Sequence, residues 1–367
     1  MLFTPSDDQA LFNQSLEQAL LNRLDLVSRA RVAAGPVGYD PEAWATAAEL
    51  GWIGGFLSEQ DGGFGDGVGE VVLLFQAFGA ALTLEPFLDC ALLPLRTLAE
   101  VSGAGAEAEI ASLIDGGRKL ILLDRPDSSE GGFKAERQFD GSWRITGSRP
   151  VVQWAEAADA FLVQASCDDG QGDVLIKVDA AAAGVSLASM RLIDQSRASD
   201  VSFDDVTAPD EAIIARGPEA EAAVTAALTL SALAVCSEAV GAMDRCVWMT
   251  RDYLNVRKQF GQPLGRFQAL QHRMADMVIE LELARAMVRR CAVVVSNGNA
   301  PEARQAVSAC KVTVAKAGLF IAENAIQLHG AIGVTDEYAI GHYYKRILTI
   351  STRFGDSTDH LRRFAGL

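Results

Sequence analysis

The spacing of apolar residues changes period twice along this 367-residue chain, and the two changes limit the folds open to it. From Ser6 to about Asp115 apolar side chains recur at intervals of three and four, the repeat of helices with one buried face. Ser6-Asp7-Asp8 ahead of Leu11 and Phe12 reads as a helix start, and the repeat breaks at Gly35-Pro36 and across Asp61–Gly67. From about Lys119 the period shortens to two. Lys134–Thr146 alternates around Asp140-Gly141, a dipeptide suited to the positive φ angles of a tight hairpin turn. Phe161–Gln164 and Val174–Val178 flank a polar turn at Asp168–Asp173, and Val201–Val206 reads as one more strand. From Pro218 the helical repeat returns and lasts to the end. The pattern predicts a mostly α chain with a small β domain set into it.

Within the last segment, Ala222–Val235 is apolar but contains Thr225, Thr229 and Ser231 and leads to Glu238. That suits a buried helix better than a membrane span, which needs about 20 apolar residues. Leu270, Met274, Met277, Leu281, Ala284, Met287, Val288 and Cys291 form the core stripe of an amphipathic helix. Asn297–Pro301 breaks the repeat, and a further helix is expected over Glu302–Leu328. With 49% hydrophobic residues the chain can bury a large core. Its formal charge of −16 repels phosphate backbones at long range, which excludes a general nucleic-acid or anionic-membrane binder and requires any anionic ligand to be held by local cations. The six cysteines are scattered without a CxxC pair or a histidine at metal spacing, so reduced thiols in a cytoplasm are expected. Met1–Asp8 has no basic stretch followed by an apolar run, so no signal peptide is expected. The glycines of Asp61–Gly67 lack both a preceding strand and a following Lys-Ser/Thr, which argues against a phosphate loop.

Three motifs carry a resemblance. They are Ala48-Glu-Leu-Gly-Trp-Ile-Gly-Gly55 with Asp61-Gly-Gly-Phe-Gly65; Asp252-Tyr-Leu-Asn-Val-Arg-Lys-Gln-Phe-Gly-Gln262 with Phe267, Gln268 and Asp276; and Ala325-Ile-Gln-Leu-His-Gly-Ala-Ile-Gly-Val-Thr335. In this order they resemble the acyl-CoA dehydrogenase family over essentially the whole chain. The resemblance implies an N-terminal helical domain over 1–117, a middle β-barrel or sandwich domain over 118–210, and a C-terminal four-helix bundle over 211–367. It also implies FAD as cofactor, an acyl-CoA substrate, an electron-accepting protein, and an oligomer, because in the family these bundle elements hold the FAD of an adjacent subunit. The cofactor-binding set it implies here is Arg257, Phe260, Phe267, Gln268, Gln327, His329, Gly330 and Ala331. The physical logic stands beside the resemblance. A diphosphate on an acidic protein needs a fixed guanidinium such as Arg257. Adenine needs a flat apolar partner such as Phe260. Gln268 and Gln327 offer uncharged donors and acceptors, and Gly330 leaves room for backbone amides to approach. The competing reading makes Arg257 a helix-end charge and Phe260 plain core.

The chain departs from the family in two places. Where the family meets the flavin ring with Thr-Glu-Pro-x-x-Gly-Ser and Trp-Ile-Thr segments, this chain has Leu123-Asp-Arg-Pro-Asp-Ser-Ser-Glu130 and Pro150-Val-Val-Gln-Trp-Ala155, which implies an altered or lost ring pocket unless Asp127, Ser128 and Gln153 supply the hydrogen bonds by another geometry. The family's proton-abstracting Glu is also missing: its helix position falls on Ser231, and in the C-terminal stretch Asp356 is the nearest acid. Asp is shorter than Glu by about 1.5 Å of reach, and a misplacement of about 1 Å costs on the order of 10²-fold in rate. Asp356 is therefore either the catalytic base or, between Gly355 and Ser357, a helix cap. His360 and Arg362-Arg363 either meet phosphates or are surface charge. This combination is similar to the smaller subunit of two-component acyl-CoA dehydrogenases. It leaves three readings: a component of an FAD-dependent dehydrogenase that converts a CoA thioester to the α,β-enoyl-CoA with a related chain; a non-catalytic subunit completing the FAD site of such a partner; or a self-sufficient homo-oligomer using Asp356.

Overall fold

A computed structural model of the protein describes residues 16, 20, 25–63, 67–101, 104–125, 132–167 and 172–366. The helix start expected at Ser6-Asp7-Asp8, the residues Pro126, Asp127 and Ser128, and most of the Asp168–Asp173 turn lie outside them. Along the chain run helices α1 (Leu26–Ala34), α2 (Pro41–Glu49), α3 (Val68–Ala81), α4 (Leu93–Ala99) and α5 (Ala104–Ile114), then strands β1 (Leu120–Leu123), β2 (Gly132–Arg137), β3 (Trp143–Gln153), β4 (Ala160–Cys167), β5 (Val174–Asp179), β6 (Val185–Arg191), β7 (Arg197–Ala208) and β8 (Ile213–Arg216). Next come α6 (Gly217–Val256), the two-residue strands β9 (Lys258–Gln259) and β10 (Gln262–Pro263), α7 (Gln268–Ser296), α8 (Ala300–His329), α9 (Ala339–Thr352) and α10 (Ser357–Ala365). The chain is mostly helical with a β domain, as the two changes of period predict.

Contacts divide the chain into two compact units. One comprises Val32–Gly67 and Leu84–Ser231. Its strands form an eight-stranded sheet in the order β6-β7-β3-β2-β4-β5-β8, with β1 pairing parallel to β4. Opposite β5, the first half of β4 pairs with β1 and its last residues with β2, both parallel. The β2–β3 hairpin forms as expected, but with a longer connection. Only Gly141 takes a positive φ (89°), while the Asp140 carboxylate accepts from Ser142 N–H and Oγ–H. Phe133, Trp143, Phe161 and Phe203 fill the interior, and Trp44 stacks on Phe87 at 5.4 Å while its indole N–H donates to Gly116 O. Gly63 has a packing role: a Cβ there would lie 2.2 Å from Leu57 O.

The other unit gathers residues 1–31, 68–83 and 232–367. In α7, Met277, Leu281, Ala284, Val288 and Cys291 are buried as the stripe predicts. α8 starts earlier than expected because Asn299 caps it and Pro301 sits in the first turn, where its missing N–H is no loss. Two helical stretches, α6 and Ala300–Val334, are long and apolar enough to cross a membrane, but 78% of the apolar window of α6 is buried inside the protein, as in a core helix. α3 crosses α6 at very short range through Gly79 and Gly241. At the same level Arg346 of α9 donates from Nε to Glu238 Oε1 of α6 at 2.6 Å. All six cysteines are free.

Candidate functional site

Arg257 follows the last residue of α6, its N–H bonded to Tyr253 O at 2.8 Å. The chain then reverses through β9 and β10, with Phe260 and Gly261 at the turn, both at positive φ (53° and 80°). A non-glycine residue at positive φ is uncommon and carries strain. Here that turn holds Phe260 88% exposed, edge-on to Phe267 at 6.1 Å. An aromatic ring so exposed is not core, which removes the competing reading of Phe260. The Arg257 side chain is exposed and has no ion-pair partner among the described residues, on a chain of net charge −16. Leu264 N–H donates to Arg257 O at 2.8 Å, closing the hairpin against the helix end, and exposed Gln268 opens α7.

The third sequence motif arrives at the same place. Gln327, Gly330 and Ala331 are exposed at the end of α8, with Gly330 at φ 66° and open space where a Cβ would stand. His329 is buried. Its ring stacks on that of Tyr253 at 4.4 Å and lies 5.0 Å from that of Tyr338, while the Tyr253 hydroxyl donates to His329 O at 3.2 Å. The structure thus joins the end of α6, one turn before Arg257, to the end of α8 through Tyr253 and His329. An unpaired guanidinium, an open glycine backbone and an upturned aromatic ring fit a ligand with a diphosphate and a planar base. Sequence reasoning missed Tyr338 and the structural part of Tyr253, although Tyr253, four residues before Arg257, lies on the same helix face.

In the β domain, Arg125 pairs with Asp173 at 2.9 Å, and the same carboxylate accepts from Gln164 Nε2. Asp124 pairs with Arg149 at 3.0 Å. These ion pairs occupy the two positions just before Pro126. At the end of β3, Val151 takes φ 52° beside a register shift against β7, its N–H donating to Asp200, and the Gln153 Oε1 is buried without a hydrogen-bond partner among the described residues. A β-branched residue at positive φ is a strained arrangement of the kind that clusters at binding sites.

Asp356 is exposed and caps α10. Its Oδ1 accepts from Asp359 N–H at 3.0 Å and Thr358 N–H at 2.7 Å, and Asp359 closes the capping box by accepting from Asp356 N–H. Those two backbone donors hold its carboxyl below the ordinary range and weaken it as a proton acceptor. The geometry is that of the cap. Ser231 is buried, and its Oγ has no hydrogen-bond partner among the described residues. The residues around the cap are also tied down: Lys311 Nζ donates to Ile350 O at 2.9 Å, Arg363 donates to Phe354 O at 3.0 Å, and His360 is buried, with Nδ1 3.2 Å from Ser308 Oγ. His360 is therefore not a surface charge.

Burial pushes the His360 imidazole down from 6.5 to about 4, so it folds neutral. Between those two values the unfolded chain takes up a proton that the folded chain refuses. The stability this adds is complete above pH 6.5 and is lost as the pH falls to 4. The loss is on the order of 1–2 kcal/mol after solvent screening. In denaturant unfolding, the difference in stability between wild type and His360→Gln should shift by that amount against wild type between neutral and acid pH. A difference that stays constant would refute the linkage.

Residues 221–365 match the family profile described as acyl-CoA dehydrogenase, C-terminal domain. The chain is 28% identical to acyl-CoA dehydrogenase FadE27 of Mycobacterium tuberculosis, covering 89% of this chain and 87% of the relative. It is also 28% identical to acyl-CoA dehydrogenase IpdE2 of the same organism, covering 94% and 92%. Among solved structures it is similar to the Tcur3481-Tcur3483 steroid ACAD, with TM-score 0.87, 27% identity, and 97% and 96% of the two chains covered. The butyryl-CoA dehydrogenase of Megasphaera elsdenii shares the fold at TM-score 0.86 and 20% identity, covering 100% of this chain and 99% of the other. The motifs at the ends of α6 and α8, the C-terminal profile and the relatives aligned along most of the sequence agree: residues 221–365 match the acyl-CoA dehydrogenase C-terminal domain, and the chain is similar to acyl-CoA dehydrogenases over most of its length.

Proposed function

We propose that this protein is one component of an FAD-dependent acyl-CoA dehydrogenase, holding from Arg257, Phe260, Gln268, Gln327 and Gly330 the diphosphate and adenine of a flavin whose ring lies against a related, neighbouring chain. The observation that carries the reading is the unpaired Arg257 guanidinium beside the exposed Phe260, on a protein whose net charge would otherwise repel a diphosphate. When bound, FAD supplies the hydride acceptor for conversion of a CoA thioester to the α,β-enoyl-CoA, and an electron-accepting protein reoxidises it. The similarity to a steroid ACAD whose name joins two components supports a second chain and a ring-bearing acyl group.

Two observations favour the narrower reading, in which the partner supplies the proton-abstracting carboxylate and this chain completes the partner's FAD site. Asp356 is committed to capping, and Ser231 stands at the family's helix position for the base. Arg257→Gln in the assembled protein is expected to lower flavin retention at least about tenfold, the worth of one charge-assisted contact. Unchanged flavin content would overturn the proposal. Asp356→Asn, measured on the same assembly with acyl-CoA, should keep its rate; loss of turnover with the fold intact would instead return the base to this chain.

A further inference from the structure

The geometry points to Tyr253, His329 and Tyr338 as a positioning clamp that locks the two halves of this cofactor site together, with His329 acting through the stack rather than touching the ligand. The inference rests on the reading above and deepens it. Arg257 follows α6 and Gln327 lies near the end of α8, and a ligand held by both needs their separation fixed to within about half an ångström. Helix ends are where chains fray, and both residues lie on helix ends. What joins the ends is the ring stack. His329 packs against both Tyr253 at 4.4 Å and Tyr338 at 5.0 Å, the two tyrosines meet edge-on at 6.4 Å, and the Tyr253 hydroxyl donates to the main-chain carbonyl of His329 itself. Beneath, Gly333 folds the following turn so close that a Cβ there would lie 3.1 Å from the His329 Cβ.

The hydrogen bonding of the imidazole fits a pillar and not a ligand. Nδ1 lies 2.7 Å from Ala325 O, which can only accept, so this nitrogen carries the proton. Nε2 is buried with no partner among the described residues, and burial holds the group neutral. A cofactor cannot reach an atom enclosed in this way. The ring contributes area and rigidity, and an aromatic hydrocarbon of similar size should replace it.

The test uses the full chain in its assembled, flavin-loaded form, stripped of flavin and titrated with FAD while the melting temperature is recorded. His329→Ala is expected to weaken FAD binding about tenfold and His329→Phe to stay within about twofold of wild type. Tyr253→Phe, which removes one hydroxyl and keeps the stack, should weaken it about threefold and remains informative if the alanine variant does not fold. A purely structural role predicts lower melting temperatures with unchanged affinity measured well below the melt. That outcome, or a phenylalanine variant as damaged as the alanine one, overturns the clamp. If Arg257→Gln also leaves FAD affinity unchanged, the flavin site itself is wrong and the clamp falls with it; if Arg257→Gln loses flavin while the clamp variants do not, only the clamp is refuted.

Discussion

Glu238→Ala is expected to destabilise the protein by about 3–5 kcal/mol, the usual consequence of removing one partner of a buried ion pair. Glu238 is 2% exposed, and its Oε1 takes a 2.6 Å hydrogen bond from Arg346, itself 9% exposed. At that burial the Coulombic attraction is strong because water is excluded, yet the larger quantity is the desolvation that Arg346 would still bear after the substitution. Against a typical total stability of about 5–15 kcal/mol, this is about a fifth or more. The double replacement Glu238→Leu with Arg346→Met should recover part of the loss, since it removes this ion pair and refills the volume with apolar atoms. Chemical denaturation of the two variants checks both statements. A single variant within about 1 kcal/mol of wild type, or a double variant no better than the single, would contradict the assignment.

Where each residue's environment is local, the sequence reports it well. The alternation of Lys134–Thr146 and Val201–Val206 marks strands with one buried face, and those strands form. β1 and β6 escape the same reading for opposite reasons. Leu120–Leu123 is buried throughout, and Val185–Arg191 lies at the sheet edge with most of its residues exposed, so neither alternates. The site follows the same division. Arg257, Phe260 and Gln268 form a contiguous motif and were visible as a group, whereas the Tyr253 contact to His329 spans 76 residues and depends on how two helix ends meet. For Asp356 both roles were open from sequence. The two backbone N–H groups pointing at its carboxylate are a fact of local geometry that composition cannot carry.

Gly241→Ala is the second large effect, and here two principles oppose each other. In an ordinary helix interior, replacing Gly with Ala gains about 1 kcal/mol of helix propensity. Gly241 of α6, however, faces the backbone of α3: a Cβ would stand 1.9 Å from Gln76 O and 2.8 Å from Gln76 C. Gly79 of α3 makes the reciprocal approach, with a Cβ 1.9 Å from Glu238 O. No rotamer change relieves a clash with main chain, so the helices must move apart and lose the packing they make at the crossing. Overpacking of this kind costs about 1–3 kcal/mol and can exceed it when backbone must shift, so the steric cost should outweigh the propensity gain and leave Gly241→Ala destabilised by about 2 kcal/mol net. The combination Gly79→Ala with Gly241→Ala should cost less than the sum, because helices separated for one methyl already accommodate much of the other. Gly105 provides the control: it is helical, exposed and has nothing within 4 Å of its would-be Cβ, so Gly105→Ala should be neutral or slightly stabilising. If Gly241→Ala melted like Gly105→Ala, α3 and α6 would not cross at the distance described, and the grouping of α3 with the later helices would lose its physical basis.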